Sequence, residues 1–336
     1  MNISDKNILV IGGAGMIGSH VVEGLLEEPV AGVTIFDNFT RGTESNIAGA
    51  LRDERVRVME GDITHIDVLN AALAEADGVF HLAALWLLHC HEFQRAAFEV
   101  NIEGTFNVLE GCVKNDIEKL VYSSSASVYG NALEVPMTEE HPYNNRTFYG
   151  ATKIAGEHMA RAMNERYGLD YVGLRYMNVY GPRQDYQSAY TSVIMKVLDR
   201  IDAGKPPLVY GDGTQSYDFI HVTDVARANV LAMKADTTDE FYNVGVGRQT
   251  TIQELVERLL ELTDPDLGIQ YEPAGKTFVT HRIGSTEKAR EELGFEAFVD
   301  LGEGLKTVIG WRNKQEDTGN YEVAGCWRNG RTVERP

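Results

Sequence analysis

The sequence predicts an α/β fold built on a doubly wound parallel sheet, with a smaller, interleaved C-terminal substrate-binding region. Three observations carry that expectation. Short β-rich runs alternate with amphipathic helical stretches through the first half of the chain. A glycine-rich turn, Gly12-x-x-Gly15-x-x-Gly18, follows the first β-rich run and opens the first helical one. Acidic, small and serine residues gather at the ends of the β-rich runs, where sheets of this kind collect ligands.

Taken in order, Asn7–Ile11 reads as a strand and Met16–Glu27 as a helix. Val33–Phe36 is a second strand, running into Asp37, and Val56–Met59 a third, ending just before Gly61-Asp62. Gly78–His81 and Leu120–Ser123 are further strands, separated by the helical stretch Phe93–Lys114. The long helix Tyr149–Tyr167 leads into the strand Tyr171–Arg175. Asp37, Asp62, Ala83-Ala84 and Ser123–Ser125 therefore lie at carboxyl ends of strands. After about Gly181 the pattern becomes irregular, with turns at Gly181-Pro182, Pro206-Pro207 and Gly211-Asp212-Gly213. The expected division is 1–181 for the first domain and 182–311 for a region mostly serving substrate, whose segments interleave with the first. Residues 312–336 read as a polar, aperiodic tail.

The 336 residues are 43% hydrophobic and 24% charged, ordinary for a soluble protein. A formal net charge of −19 argues against nucleic acid as a partner. No apolar run approaches the roughly 18 residues that span a bilayer, so no membrane partner is expected. Met1–Lys6 leads straight into an apolar strand, without the pattern of a signal peptide. Cys90, Cys112 and Cys326 form no CxxC pair, which fits the reducing cytoplasm.

Glycines at this spacing allow a tight turn and close approach of backbone to a pyrophosphate at a helix N-terminus. Taken alone, the same glycines suit a plain turn. Asp37, nineteen residues past Gly18 at the end of the next strand, favours the ligand-binding reading. Its carboxylate can accept both ribose hydroxyls and repel a 2′-phosphate, so NAD is expected over NADP. Arg41 is the nearby cation that could weaken this preference, or else a solvated turn residue.

Tyr149 and Lys153 lie one helical turn apart and emerge on one face. A tyrosine of ordinary pKa, about 10, is a poor base. A neighbouring ammonium, reinforced by the positive nicotinamide of NAD⁺, favours the phenolate. Ser125, twenty-four residues upstream of Tyr149, can hydrogen-bond the same substrate oxygen. The spacing of Tyr149 and Lys153 also occurs on ordinary exposed helices. The order of glycine turn, Asp37, serine-rich strand end and Tyr149-x-x-x-Lys153 selects the catalytic reading: an NAD-dependent enzyme acting on an alcohol carbon.

Several ordered motifs then resemble the extended short-chain dehydrogenase/reductase family, in its NAD-dependent nucleotide-sugar epimerase/dehydratase branch, over roughly residues 7–311. They are Gly12-Gly13-Ala14-Gly15-Met16-Ile17-Gly18, Asp37-Asn38 with Gly42, Gly61-Asp62-Ile63, His81-Leu82-Ala83-Ala84 and Asn101-x-x-Gly104-Thr105-x-Asn107. Further on come Ser123-Ser124-Ser125-Ala126-Ser127-Val128-Tyr129-Gly130, Tyr149-Gly150-x-x-Lys153, Arg175-Tyr176-x-Asn178-Val179-Tyr180-Gly181-Pro182-Arg183-Gln184 and Asp218-Phe219-Ile220-His221. The resemblance implies a Rossmann-like first domain. In it Gly12, Gly15, Met16, Ile17, Gly18, Asp37, Asn38 and Ser123 serve NAD, Asp62 and Ile63 meet the adenine, and Leu82, Ala83 and Ala84 line the cofactor path. Lys153 would bind the nicotinamide ribose while lowering the Tyr149 pKa. Tyr176 and Val179 would border the nicotinamide, and Asn178 would approach the diphosphate of a nucleotide sugar. For Asn101, Asn107, His221 and Asp224 a structural role between loops is expected.

Within this branch, dehydratases and decarboxylases carry an acidic residue just after the catalytic Ser or Thr. Here Ala126 and Ser127 follow Ser125, as in the 4-epimerases. The resemblance thus implies C4 epimerisation of a UDP-hexose or UDP-hexuronate through a 4-keto sugar, with NAD retained. The alternatives are a dehydratase or reductase of the same family, or a non-catalytic NAD-binding regulator. On the substrate side the chain departs from its relatives. Tyr217 replaces an arginine, the segment Leu85–His91 is bulky, and Gly275-Lys276-Thr277-Phe278 stands for the usual Arg-x-Gly-Asp. Arg183, Arg282 and Lys276 are the candidates to hold phosphate, or one of them a sugar carboxylate. The His89-x-His91 pair has no third ligand in view, and no metal is expected. Apolar positions such as Phe98, Ile102, Phe106, Ile154 and Met159 on two helices suggest a homodimer built on an intersubunit helix bundle.

Overall fold

The computed structural model describes residues 1–185, 192–274 and 281–318. Six parallel strands are laid down in turn: β1 (Asn7–Ile11), β2 (Gly32–Asp37), β3 (Val56–Glu60), β4 (Gly78–His81), β5 (Lys119–Ser125) and β6 (Tyr171–Tyr176). A seventh, Glu240–Val244, arrives from far downstream and pairs with β6. Across the sheet the order is Glu240–Val244, β6, β5, β4, β1, β2, β3, so the winding reverses beside β1. Helices cover both faces of the central strands, which is why β1, β4 and β6 are apolar and buried along nearly their whole length. The edge strand β3 is mostly exposed and carries Arg57, ion-paired with Glu75. Charge on an open edge discourages pairing with another chain.

The predicted strands and the first helix agree with the observed ones to within a residue or two at each end. Two stretches differ. Phe93–Lys114 is not one regular helix: Gln94–Ala97 passes through a π-helical turn at Phe98–Gly104 before the α-helix Thr105–Lys114. The widened turn places buried Asn101 against the loop after β4, where its Oδ1 accepts from the Leu85 N–H at 2.7 Å and its Nδ2 donates to the Leu85 carbonyl at 2.8 Å. Second, residue 312 does not begin an aperiodic tail, because the helix Leu301–Thr318 runs through it. Arg312 is buried and pairs with Asp199 and Asp202, both at 2.7 Å, joining that helix to the helix Val193–Asp202. Residues 319–336, with Cys326, lie outside the described residues.

The downstream segments form their own apolar cluster, in which Tyr180, Leu198, Phe219, Leu255, Leu259 and Leu305 meet. Short strands tie this cluster to the sheet. Phe219–His221 pairs with Asn178–Tyr180, and His281–Arg282 with Ser216–Tyr217. The helix Phe148–Tyr167 packs on β5 through Gly156, where a Cβ would fall 2.0 Å from the Tyr122 hydroxyl. That approach brings Lys153 and Glu157 on the same helix down onto the ends of β5 and β6. No helix among the described residues is long and apolar enough to cross a membrane.

Candidate active site

A cleft of about 430 Å³ opens where the winding of the sheet reverses, at the carboxyl ends of β1, β2 and β4. The turn after β1 forms one side. A Cβ on Gly18 would lie 2.1 Å from the Gly12 carbonyl oxygen, so only glycine lets the helix Met16–Leu26 start this close to the strand. That helix has no side-chain cap at Gly15. Its first N–H groups and its dipole are thereby left to a negatively charged ligand.

Asp37 ends β2 beside this turn. Its Oδ2 accepts from the Ala14 N–H and its Oδ1 from the Phe39 N–H, each at 2.9 Å. Burial raises its pKa, opposed by the N–H groups of Phe39, Ala14 and Asn38. Asp62 accepts from the Asn38 side chain at 2.7 Å and from Thr64, which fixes the far wall. Gly12, Gly15, Met16, Ile17, Gly18, Asp37, Asn38, Asp62, Ile63, Leu82, Ala83 and Ala84 all line the cleft, as expected for a dinucleotide. Two buried polar atoms in this wall, Arg183 Nη1 and Gln184 Oε1, have no hydrogen-bond partner. An uncapped helix end, a glycine cradle and the unspent Arg183 Nη1 donor fit a pyrophosphate-bearing ligand.

Beyond Leu85 and Val100 the cleft wall meets Tyr149, which packs with Cys90 and Ala97 in a small cluster. Ser125 lies close enough to Tyr149 for its side chain to favour the phenolate. Lys153 is buried, and its Nζ donates to the Ser123 carbonyl at 2.7 Å and lies 5.8 Å from the Tyr149 ring centre. Burial pulls Lys153 down to about 8, with Cys90 and Glu157 opposing. Tyr149 is pushed up to about 12 by burial, with Ser125 and Arg282 acting the other way. Desolvation of the phenolate outweighs every neighbouring cation there.

Around this pair a polar network holds the two elements that carry Ser125 and Tyr149. Glu157, one turn past Lys153, accepts from Ser124 at 2.5 Å and from Arg175 at 2.9 and 2.8 Å. Arg175 also donates to the Glu139 carbonyl at 2.8 Å and to the Tyr129 hydroxyl at 2.9 Å, and Tyr129 donates on to Asn243. Charge-assisted bonds of this kind are strong because both partners are buried and fully engaged.

Arg282 sits beside Tyr217 in paired strands and acts on Tyr149 electrostatically. Its Nε is buried without a hydrogen-bond partner. Lys276 lies outside the described residues. Arg183 turns instead to Glu23 on the first helix and lines the dinucleotide cleft, so its charge is already engaged there. Arg41 is no solvated turn residue, since it pairs with Asp185 and stacks on Trp86. Ser123, Ser125, Tyr149, Lys153, Tyr176 and Val179 stand outside the residues that line the cleft, and the Tyr176 hydroxyl donates to Asn229 at 2.9 Å. Asn178 lies in the strand joining the two parts of the chain. Asn107, His221 and Asp224 bridge elements: Asn107 to the Ile63 carbonyl, His221 to Thr307, and Asp224 to the N–H groups of Phe298 and Val299.

Comparison with known proteins places this arrangement. Residues 8–245 match the NAD dependent epimerase/dehydratase family. A putative UDP-glucose 4-epimerase of Methanocaldococcus jannaschii is 35% identical, over 93% of this chain and 100% of its own length. A dTDP-glucose 4,6-dehydratase of an Actinoplanes species is 32% identical, over 90% of this chain and 97% of its own. Among solved structures, UDP-N-acetylglucosamine 4-epimerase from Methanobrevibacter ruminantium, in complex with UDP-N-acetylmuramic acid, superposes with a TM-score of 0.87. It is 34% identical, and the match covers 93% of this chain and 99% of that one. With its seven-stranded parallel sheet, its glycine turn and its Ser–Tyr–Lys cluster, the chain belongs to the NAD dependent epimerase/dehydratase family.

Proposed function

We propose that the protein is a UDP-sugar 4-epimerase in which Ser125, Tyr149 and Lys153 carry the chemistry. One observation favours epimerisation over elimination. The residues after Ser125 are Ala126 and Ser127, both buried, and neither side chain is an acid or base at neutral pH. Tyr149 is then the proton-transfer group at the substrate oxygen. The Cys90 thiol is engaged elsewhere, donating to the Leu85 carbonyl at 3.2 Å. The 4-epimerases among the relatives support the same reading.

Bound NAD⁺ would be held by the glycine turn and Asp37 and would supply a hydride acceptor. Tyr149, pushed up to about 12 by burial, takes the proton of the C4 hydroxyl, the buried Lys153 ammonium favouring its phenolate, while Ser125 donates a hydrogen bond to the same oxygen. Tyr149 returns the proton when the 4-keto sugar is reduced on its other face. Asp37 accepts the adenine ribose hydroxyls and excludes a 2′-phosphate. Arg282, with its unspent Nε, holds the diphosphate or a sugar carboxylate, either of which an arginine can bind bidentately.

The substrate test is a panel of UDP-, dTDP- and GDP-sugars, including glucuronate and N-acetyl forms, followed by NMR. Interconversion at C4 of a UDP-sugar is the expected result. A product lighter by one water would establish a dehydratase instead.

The assembly we propose is a homodimer through the helical stretch 93–114 and the helix Phe148–Tyr167. Phe98 and Phe106 remain exposed there, at 43% and 40%, while Ile154 and Met159 pack against the protein's own core. Light scattering at micromolar concentration should give twice the chain mass, and a monomer would refute the assignment. Free thiols at Cys90 and Cys112 agree with a cytoplasmic setting.

A further inference from the structure

We propose that Arg41, gripped between Trp86 and Asp185, is a clasp that closes over the bound dinucleotide and sets how quickly it comes and goes. The three residues belong to loops that follow three different strands: β2, β4 and Asn178–Tyr180. All three line the dinucleotide cleft. The Arg41 guanidinium carbon lies 4.9 Å from the centre of the Trp86 ring, and Arg41 Nη2 lies 3.2 Å from Asp185 Oδ2. The loop carrying Asp185 is moored a second time, two residues earlier, where Arg183 pairs with Glu23 on the first helix.

The clasp starts at the ribose end of the cleft. Gly42, next to Arg41, is so near Asp37 that a Cβ there would lie 2.9 Å from Asp37 Oδ1. From that root the arginine reaches across to Asp185, 144 residues away in sequence. A chain that needs its cofactor through many turnovers gains from such a closure. The same contacts commit the one cation near Asp37 that the sequence left in doubt.

The contacts are also of the right strength for a device that opens. The side chains of Arg41 and Asp185 are 37% and 24% exposed, so solvent and salt weaken their attraction. Stacking a guanidinium on an indole adds a comparable, modest gain. This differs from the buried Arg175–Glu157 pair, which has no route to open without desolvated charge being stranded. The inference rests on NAD being the family's cofactor and holds whichever sugar reacts.

The test compares the native enzyme with Arg41→Ala, Arg41→Lys and Asp185→Asn. Release is followed by charging the enzyme with radiolabelled NAD⁺ and chasing with unlabelled NAD⁺. Association is followed by the fluorescence of NADH mixed with cofactor-stripped enzyme. Arg41→Ala removes both contacts and should release NAD about tenfold faster, and Asp185→Asn about threefold faster. Arg41→Lys keeps the ion pair but replaces the guanidinium over the Trp86 ring with a compact ammonium, and should fall between the native enzyme and Arg41→Ala. A closure hinders passage in both directions, so association should quicken too. Release within about twofold of native in Arg41→Ala would overturn the proposal. So would faster release with unchanged association, which is the behaviour of a simple ligand contact. Should Arg41→Ala not fold, Asp185→Asn and Trp86→Leu decide the matter by the same two rates.

Discussion

Tyr149→Phe is expected to bind NAD like the native protein and to lose at least about two orders of magnitude in turnover, the usual size of a general acid–base contribution. The substitution removes one hydroxyl from a ring already packed against Cys90 and Ala97, so the fold and the dinucleotide cleft keep their contacts. What is lost is the hydroxyl beside Ser125 that the proposed mechanism uses at the substrate oxygen. Turnover numbers and bound NAD, measured on the same preparation, decide the point. Activity near native would mean that some other group takes the C4 proton, and among the described residues beside Ser125 no such group presents itself.

Lys153→Ala is expected to impair turnover and NAD retention together. Its ammonium is buried, anchored to the Ser123 carbonyl and set between the rings of Tyr122 and Tyr149. Without it, Tyr149 faces the full cost of forming a phenolate in a desolvated site. The sign of the pH effect follows. In the native enzyme the Lys153 charge is present below about pH 8 and is lost above it. In the variant that support is missing at every pH, so residual activity should rise toward alkaline pH, where Tyr149 ionises unaided. Loss of turnover with cofactor retention unchanged, or the reverse, would show that Lys153 has one role and not two.

The parts of the site that could be read from the sequence are local ones. Gly12, Gly15 and Gly18 sit in a single turn, Asp37 ends the next strand, and Tyr149 and Lys153 share one helix face. Each relation depends only on strand period, helix period or a short loop; the glycine turn and Asp37 line the cleft, and Tyr149 packs against Leu85 and Val100 of its wall. The strand Gly78–His81 was legible for the same reason, because it is buried along its whole length.

What could not be read depends on long-range contact. Nothing in the sequence around Arg41 points to Asp185, and nothing around Glu157 points to Arg175 or Ser124. Arg312 looked like part of a polar tail because its acidic partners lie more than a hundred residues upstream. The π-helical turn at Phe98–Gly104 left no periodic signature, since a wider turn shifts the apolar positions by about one residue without breaking the run. The bulky run after Ala84 did carry a signal. Its departure from the family pattern marked the stretch, but only the fold shows Trp86 under Arg41 and Cys90 against Tyr149.

The central claim is that a hydride leaves C4 of a UDP-sugar and returns to the same carbon while the cofactor stays bound. The most direct measurement uses a UDP-sugar deuterated at C4, with no NAD added beyond what the purified enzyme carries. NMR and mass of the products should show the C4 epimer at equilibrium with substrate, deuterium fully retained at C4, and no change in mass. Deuterium absent from C4, loss of water, or a product that forms only as added cofactor is consumed would contradict it.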